Sequence, residues 1–309
     1  MTRRALLSAL ALAATPAAAA TDRREVWRDA ARARDVPVLL RLPDAAGPRP
    51  VVVVSHGLGG SREGLAYLGR AFAGAGFVAV HLQHAGTDSA IWQGGGPGLA
   101  AAALDPSNAL ARLQDGIFAV GEVLRRGGLA GDALTGRVDA ARIAVAGHSY
   151  GAWTVQHLLG QLLPGGDRGL GLPDARLRAG IALSPSPPRG LPPRAAFARV
   201  ATPMLHVTGT QDSGFIEGAT PADREIPFRA IGGAPGALLV LNGAPHAAFA
   251  DEAAAGPRWA DPTYHARTAA VAVLFLRAVL EGDAEARAAL VGGARDVLDP
   301  ADRIETRGF

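Results

Sequence analysis

The sequence predicts an α/β fold, a mostly parallel central sheet with helices on both faces. Three observations carry this. Short apolar, β-branched runs alternate along the chain with longer segments of helical period. Val51-Val52-Val53-Val54 is apolar without a break, as a strand buried on both faces must be. The chain has 309 residues, 49% hydrophobic and 19% charged, which is enough for one large core and too apolar for general disorder.

The elements follow in order. Residues 1–20 have the form of an export signal: Arg3 and Arg4, an apolar run from Ala5 to Ala14, Pro16, then small residues suited to cleavage. Thr2-Arg3-Arg4-Ala5-Leu6-Leu7 follows the twin-arginine pattern, and an ordinary Sec signal is the alternative. The apolar run is too short to span a bilayer. Residues 21–309 are then expected as one domain, periplasmic or secreted, with no stable membrane anchor after cleavage. Glu25 to Asp29 and Val36 to Leu42 predict a strand hairpin, and Val51 to Val54 the first buried strand. Ser61 is placed to cap a helix reaching Ala73, and Phe77 to Leu82 is the next strand. Residues 84–106 are Gly- and Ala-rich without a clear period and predict a long excursion. Ser107 to Arg126 predicts a helix, Arg142 to Ala146 a strand, and Ser149 to Leu163 a helix. Ala179 to Leu183, Met204 to Val207 and Ala237 to Leu241 predict the remaining strands, the last of them at Leu241. Thr263 to Leu280 and a segment after Asp283 predict terminal helices. The run Ser184-Pro185-Ser186-Pro187-Pro188 through Pro193 predicts a stiff loop within the domain.

Composition excludes several chemistries. There is no cysteine, so disulfides, thiolate nucleophiles, Cys-ligated zinc and iron–sulfur clusters are out. All 31 basic residues are arginine, against 28 acidic ones, and no basic run is present, which argues against nucleic-acid binding. His81-Leu82-Gln83-His84 spaces two imidazoles, but no third ligand clusters nearby, so no metal or other cofactor is expected.

The chemistry is expected at strand ends. Gly147-His148-Ser149-Tyr150-Gly151 follows a predicted strand and opens a predicted helix, the context a nucleophile elbow requires. Ser149 then stands at a helix N-terminus, where the dipole favours developing negative charge. Acyl transfer needs two N–H donors on one oxygen. One is expected from Tyr150, the other from Leu58 in the loop Ser55-His56-Gly57-Leu58-Gly59-Gly60. Serine also needs a base. Of eight histidines, His56 and His148 lie inside the motif loops in bracing positions. His81 and His206 lie in strands as core residues, His157 is mid-helix, and His265 stands at a helix start as a surface or capping residue. His246 differs: it follows the last predicted strand, in Asn242-Gly243-Ala244-Pro245-His246. The acid that orients it is expected at Asp212, after the preceding strand, with Asp223 and Asp251 as rivals. His84 to Asp88 either borders the pocket or forms a turn capped by Asp88. Residues 91–106, with Trp92, are placed to shape the pocket. Arg112 and Asp115, at i,i+3, have the spacing of a helix-surface pair or packing brace, and Trp153 that of a core residue.

Taken together, these segments resemble the α/β-hydrolase superfamily. More closely, they resemble the bacterial dienelactone-hydrolase-like esterases, relatives of platelet-activating-factor acetylhydrolases. The resemblance rests on S-H-G-L-G-G at 55–60, H-L-Q-H-A-G-T-D at 81–88, G-H-S-Y-G at 147–151, T-G-T-Q-D at 208–212 and G-A-P-H-A-A-F at 243–249. It implies the α/β-hydrolase fold, whose triad runs in the chain order Ser149, Asp212, His246, with Leu58 and Tyr150 as oxyanion donors. It implies a small-molecule or lipid-like ester as substrate. The plasma-type acetylhydrolases carry their acid after the earlier strand, where this chain has Ser184, and true dienelactone hydrolases use a cysteine nucleophile. The competing functions are a serine peptidase or amidase of the same fold and a non-catalytic exported binding protein.

Overall fold

A computed structural model describes residues 20–94, 96–165, 169–214, 218–251 and 261–309. The expected export segment, apart from Ala20, lies outside these. Nine strands form one sheet in the order β1-β2-β4-β3-β5-β6-β7-β8-β9. They are β1 (Thr21–Asp29), β2 (Arg34–Leu42), β3 (Arg49–Ser55), β4 (Val78–Leu82), β5 (Val138–His148), β6 (Leu177–Leu183), β7 (Met204–Gln211), β8 (Gly236–Pro245) and β9 (Arg303–Arg307). The six strands from β4 through β8 run parallel, while β1, β2 and β9 join antiparallel at the two edges. Among the described residues the helices are α1 (Ala66–Gly74), α2 (Gly96–Leu104), α3 (Pro106–Gly127), α4 (Tyr150–Leu158), α5 (Pro193–Ala196), α6 (Ile226–Ala230), α7 (Pro262–Leu276) and α8 (Ala284–Val291).

The valine run shows why the sheet is covered twice. Val52 and Val54 pack with Leu68 and Phe72 of α1, Phe275 of α7 and Leu290 of α8. Val51 and Val53 alternate to the other face and pack with Val120 of α3 and Val155 of α4. All four valines are at most 1% exposed, so each face of β3 is core.

The structure departs from the sequence reading in four places. Residues 84–106 are not an irregular excursion: a 3₁₀ turn over Ser89–Gly94 leads into α2. Helix α1 starts at Ala66, because Ser61 closes a local turn, its hydroxyl accepting from the Glu63 amide at 3.1 Å. Helix α4 stops at Leu158, where the His157 ring bonds the Gln161 carbonyl and draws the chain off the helix axis. The sheet continues past Leu241 to β9, a polar edge strand of alternating charge, Arg303-Ile304-Glu305-Thr306-Arg307, that covers β8.

This topology places the site. From β3 the chain first goes to β4 on one side and then to β5 on the other, so the strand order reverses about β3. Ligands of open α/β sheets bind beyond the carboxyl ends of the strands at such a switch point. The loops that leave β3 and β5 there are Ser55 to Gly60 and His148 to Gly151.

Candidate active site

At the end of β5 the backbone turns sharply into α4 through Ser149, which sits at φ 55° and ψ −114°. For a residue with a Cβ this is a strained conformation, worth on the order of 1–3 kcal/mol. Its amide bonds the Leu183 carbonyl of β6 at 2.9 Å, which holds the turn in place. The flanking glycines are required by approach. A Cβ on Gly147 would lie 2.5 Å from the Gly151 backbone, and one on Gly151 would lie 2.0 Å from the Ser55 carbonyl oxygen. The turn thus seats directly on the end of β3.

Ser149, His246 and Asp212 form one hydrogen-bonded chain. The Ser149 Oγ lies 2.9 Å from His246 Nε2, and His246 Nδ1 lies 2.8 Å from Asp212 Oδ1. Asp212 follows β7 and His246 follows β8. The two strand ends converge because Gly209 has no side chain: a Cβ there would lie 2.0 Å from the Ala244 carbonyl oxygen. The rival acids go elsewhere. Asp223 accepts from the Thr220 amide and hydroxyl, and Asp251 accepts from the Tyr67 amide at 3.0 Å.

Asp212 is fully buried. Burial alone would raise its carboxyl, but the hydrogen bond from His246, the Arg224 charge and the Thr208 hydroxyl outweigh it and hold the group below the usual carboxylate range. Thr208 donates to Asp212 Oδ2 at 2.8 Å, and Arg224 Nε stands 3.4 Å from Asp212 Oδ1. The Arg224 guanidinium, itself fully buried, also bonds the Ser184 and Pro185 carbonyls at 3.4 and 3.3 Å. His148 holds the imidazole from behind, its Nε2 donating to the His246 backbone carbonyl at 3.1 Å. Burial, together with the His246 charge, pushes His148 down to about 3, so its ring is neutral.

A second buried network supports the loop after β3. The Arg112 guanidinium donates to Ser55 Oγ at 3.0 Å, to Thr87 Oγ1 at 2.8 Å, to Thr154 Oγ1 at 3.2 Å and to the His56 carbonyl. It also lies 4.5 Å over the Tyr150 ring. The Thr154 hydroxyl donates to the Tyr150 carbonyl at 2.9 Å. Ser55 Oγ is 2.9 Å from His84 Nε2, and His84 Nδ1 is 3.0 Å from Asp115 Oδ2. Burial, then the Arg112 charge, lowers His84 to about 4, so it is neutral and passes a hydrogen bond from Ser55 to Asp115. Asp115 is held at about 2: burial opposes this, but the bonds from His84 and Arg34 prevail. Arg112 and Asp115 are both fully buried. Of the two expected roles, the helix-surface pair is corrected and the packing brace is what the burial supports: the two side chains belong to one internal network that runs through Ser55 and His84.

The remaining expected residues fall as follows. Leu58, Ser149 and Tyr150 line one cavity of about 440 Å³. Tyr150 opens α4, so its N–H belongs to the first turn, which has no intrahelical acceptors. Trp153, read as core, lines the same cavity, as do Ala103 and Leu104 of α2. Trp92 instead clamps the loop after β3, its Nε1 donating to the Gly59 carbonyl at 2.8 Å. Residues 84–88 brace that loop too: Thr87 O accepts from Gly59 N at 2.8 Å, while Asp88 accepts from Gln83 Nε2. His206 is fully buried in the core, and His265 stacks on Tyr67 at 4.1 Å. His81 and His84 face different partners, the Gly64 carbonyl and the Ser55–Asp115 pair. Among the described residues no cluster of three His, Asp or Glu could hold a metal ion, and no helix is long and apolar enough to cross a membrane.

No protein-family model matches the chain, and no curated protein matches its sequence.

Proposed function

We propose that the chain is a serine ester hydrolase of the α/β-hydrolase type. The observation that carries this is the continuous chain Ser149–His246–Asp212, at 2.9 and 2.8 Å, opening on a largely apolar cavity from a strained strand-to-helix turn. A serine on a strained, positive-φ turn, a base within hydrogen-bond reach and a buried acid behind it are the parts that nucleophilic catalysis needs.

The reaction follows from these positions. His246 Nε2 takes the Ser149 proton as Oγ attacks the ester carbonyl carbon. The carbonyl oxygen becomes an oxyanion between the Leu58 and Tyr150 amides. Asp212 keeps the Nδ1–H tautomer and stabilises the imidazolium without taking its proton. His246 then protonates the leaving alcohol as the C–O bond breaks, which leaves Ser149 acylated. Water, deprotonated by the same imidazole, attacks the acyl-enzyme, and the acid departs as Ser149 regains its proton. Export through residues 1–20 is part of the same proposal.

A fluorophosphonate probe tests it. Covalent labelling at Ser149, lost in Ser149→Ala, together with hydrolysis of p-nitrophenyl acetate, is expected. Absence of both would return the chain to a non-catalytic binding role. Faster cleavage of a peptide anilide than of the matching ester would favour the amidase.

A further inference from the structure

Beyond the reacting groups, the cavity has a polar end. Tyr150 and His157 both line it. They are seven residues apart on α4, which places His157 about 10 Å further along the helix axis. Gln161, just past the helix, lines it as well. His157 and Gln161 are only 1% and 3% exposed.

The hydrogen-bonding sense of this end is fixed. His157 Nδ1 lies 2.9 Å from the Gln161 carbonyl oxygen, which can only accept, so Nδ1 carries the hydrogen. Burial drives the ring down to about 4, so at neutral pH Nε2 holds a lone pair. The Trp153 ring, 4.2 Å away, packs the imidazole in this orientation. Neither His157 Nε2 nor Gln161 Oε1 has a hydrogen-bond partner. Buried polar atoms are nearly always paired, so two unpaired acceptors on residues four apart that line one cavity call for a donor. The rest of the lining is mostly apolar, including Ala103, Leu104, Leu162 and Leu163. It holds no carboxylate and does hold Arg189, so a cationic donor would be buried unpaired.

We propose that His157 and Gln161 form a specificity site for a neutral donor, so that the preferred ester carries a hydroxyl at the end of an apolar arm, about 10 Å from the reacting carbonyl. The class of substrate is thus a medium-chain ω-hydroxy ester. The proposal rests on the ester-hydrolase reading of Ser149.

The experiment separates the two. Hydrolysis of p-nitrophenyl acetate, which does not reach the polar end, checks the esterase reading alone. Two matched pairs check the polar end: p-nitrophenyl ω-hydroxyoctanoate against p-nitrophenyl nonanoate for the acyl arm, and ω-hydroxyoctyl acetate against nonyl acetate for the alcohol arm. In one pair the hydroxy ester is expected to win by about tenfold or more in kcat/KM, the value of one well-made hydrogen bond. Gln161→Met and His157→Phe, which keep volume and remove the acceptors, should each bring that ratio close to unity. Calorimetric binding of the same pairs to Ser149→Ala reads the pocket without turnover and should show the same preference. Equal affinity for both members of both pairs would overturn the proposal and mark the site as one that holds a trapped water only. So would a preference that survives in both variants. Failure to cleave any ester would overturn the esterase reading, and the calorimetry would still decide the pocket.

Discussion

Replacing Arg112 with methionine tests how the proposed oxyanion donors are held. The guanidinium touches neither Ser149 nor the expected oxyanion position. It bonds the His56 carbonyl and Ser55 Oγ on one side and, through Thr154, the Tyr150 carbonyl on the other. One buried cation therefore sets both segments that carry the expected donors, Leu58 and Tyr150. It is a positioning residue. Methionine fills similar volume without these bonds and leaves the His56 carbonyl without its donor. Asp115 remains paired with Arg34 at 2.9 Å, so no carboxylate is orphaned. Loss of one oxyanion donor costs about 10²- to 10³-fold, and a 1 Å misplacement about 10²-fold. We therefore expect kcat to fall by about 10²-fold, or about 2.7 kcal/mol of barrier, with KM within about threefold. A trifluoromethyl ketone should lose affinity in proportion to kcat/KM, because it mimics the tetrahedral state. General loosening would lower the melting temperature without that correlation. Arg112→Lys keeps the charge but not the fork, so it should fall between the two and serves if the methionine variant does not fold. A folded Arg112→Met enzyme with unchanged kcat, or one whose loss lies wholly in KM, would refute the reasoning.

Four further outcomes are expected. Ser149→Ala should reduce kcat on p-nitrophenyl esters by on the order of 10³-fold or more while circular dichroism stays unchanged. Asp212→Asn should fold and lose about 10²- to 10⁴-fold, because an amide permits the wrong imidazole tautomer; Asp223→Asn and Asp251→Asn should each change turnover by less than about tenfold. Stability by urea unfolding should be greatest above pH 6.5 and fall from there toward pH 4: His81, His84, His148, His157 and His206 have folded values lowered to about 3 or 4, so the unfolded chain binds protons first, and each costs up to about 1.4 kcal/mol per pH unit in that window. A flat profile between pH 7 and 5 would contradict this. Replacing Arg3 and Arg4 by lysine should retain the protein inside the cell if export follows the twin-arginine route, and unchanged export would leave the Sec route.

The candidate site was legible because its residues lie where chain punctuation is strongest. Glycines flank Ser149, a valine run precedes Leu58, and the Asp212 and His246 loops each end an apolar strand. All of these are local signals. What the sequence did not disclose depends on distant contacts. Arg224 lies in Ala222-Asp223-Arg224-Glu225, which has the composition of a solvated turn, yet its guanidinium is buried against Asp212. The spacing of Arg112 and Asp115 suggested mutual pairing, whereas their partners come from β3, the loop after β4, β2 and α4. Trp153, His157 and Gln161 share their cavity with Ala103 and Leu104 of α2, and α2 itself is Gly- and Ala-rich with no apolar stripe to announce it. Strand β9 was missed because an edge strand with alternating charge needs only one buried face and lacks the apolar run that marks the central strands.

The backbone at Ser149 also bears on attempts to improve this protein. Its positive φ suits glycine better than any residue with a side chain. Ser149→Ala keeps the strain, while Ser149→Gly releases it. A library sorted for heat resistance alone would therefore reward removal of the proposed nucleophile. Selection on melting temperature and selection on turnover pull in opposite directions at this one codon, so a stabilising screen has to be gated by activity at every round.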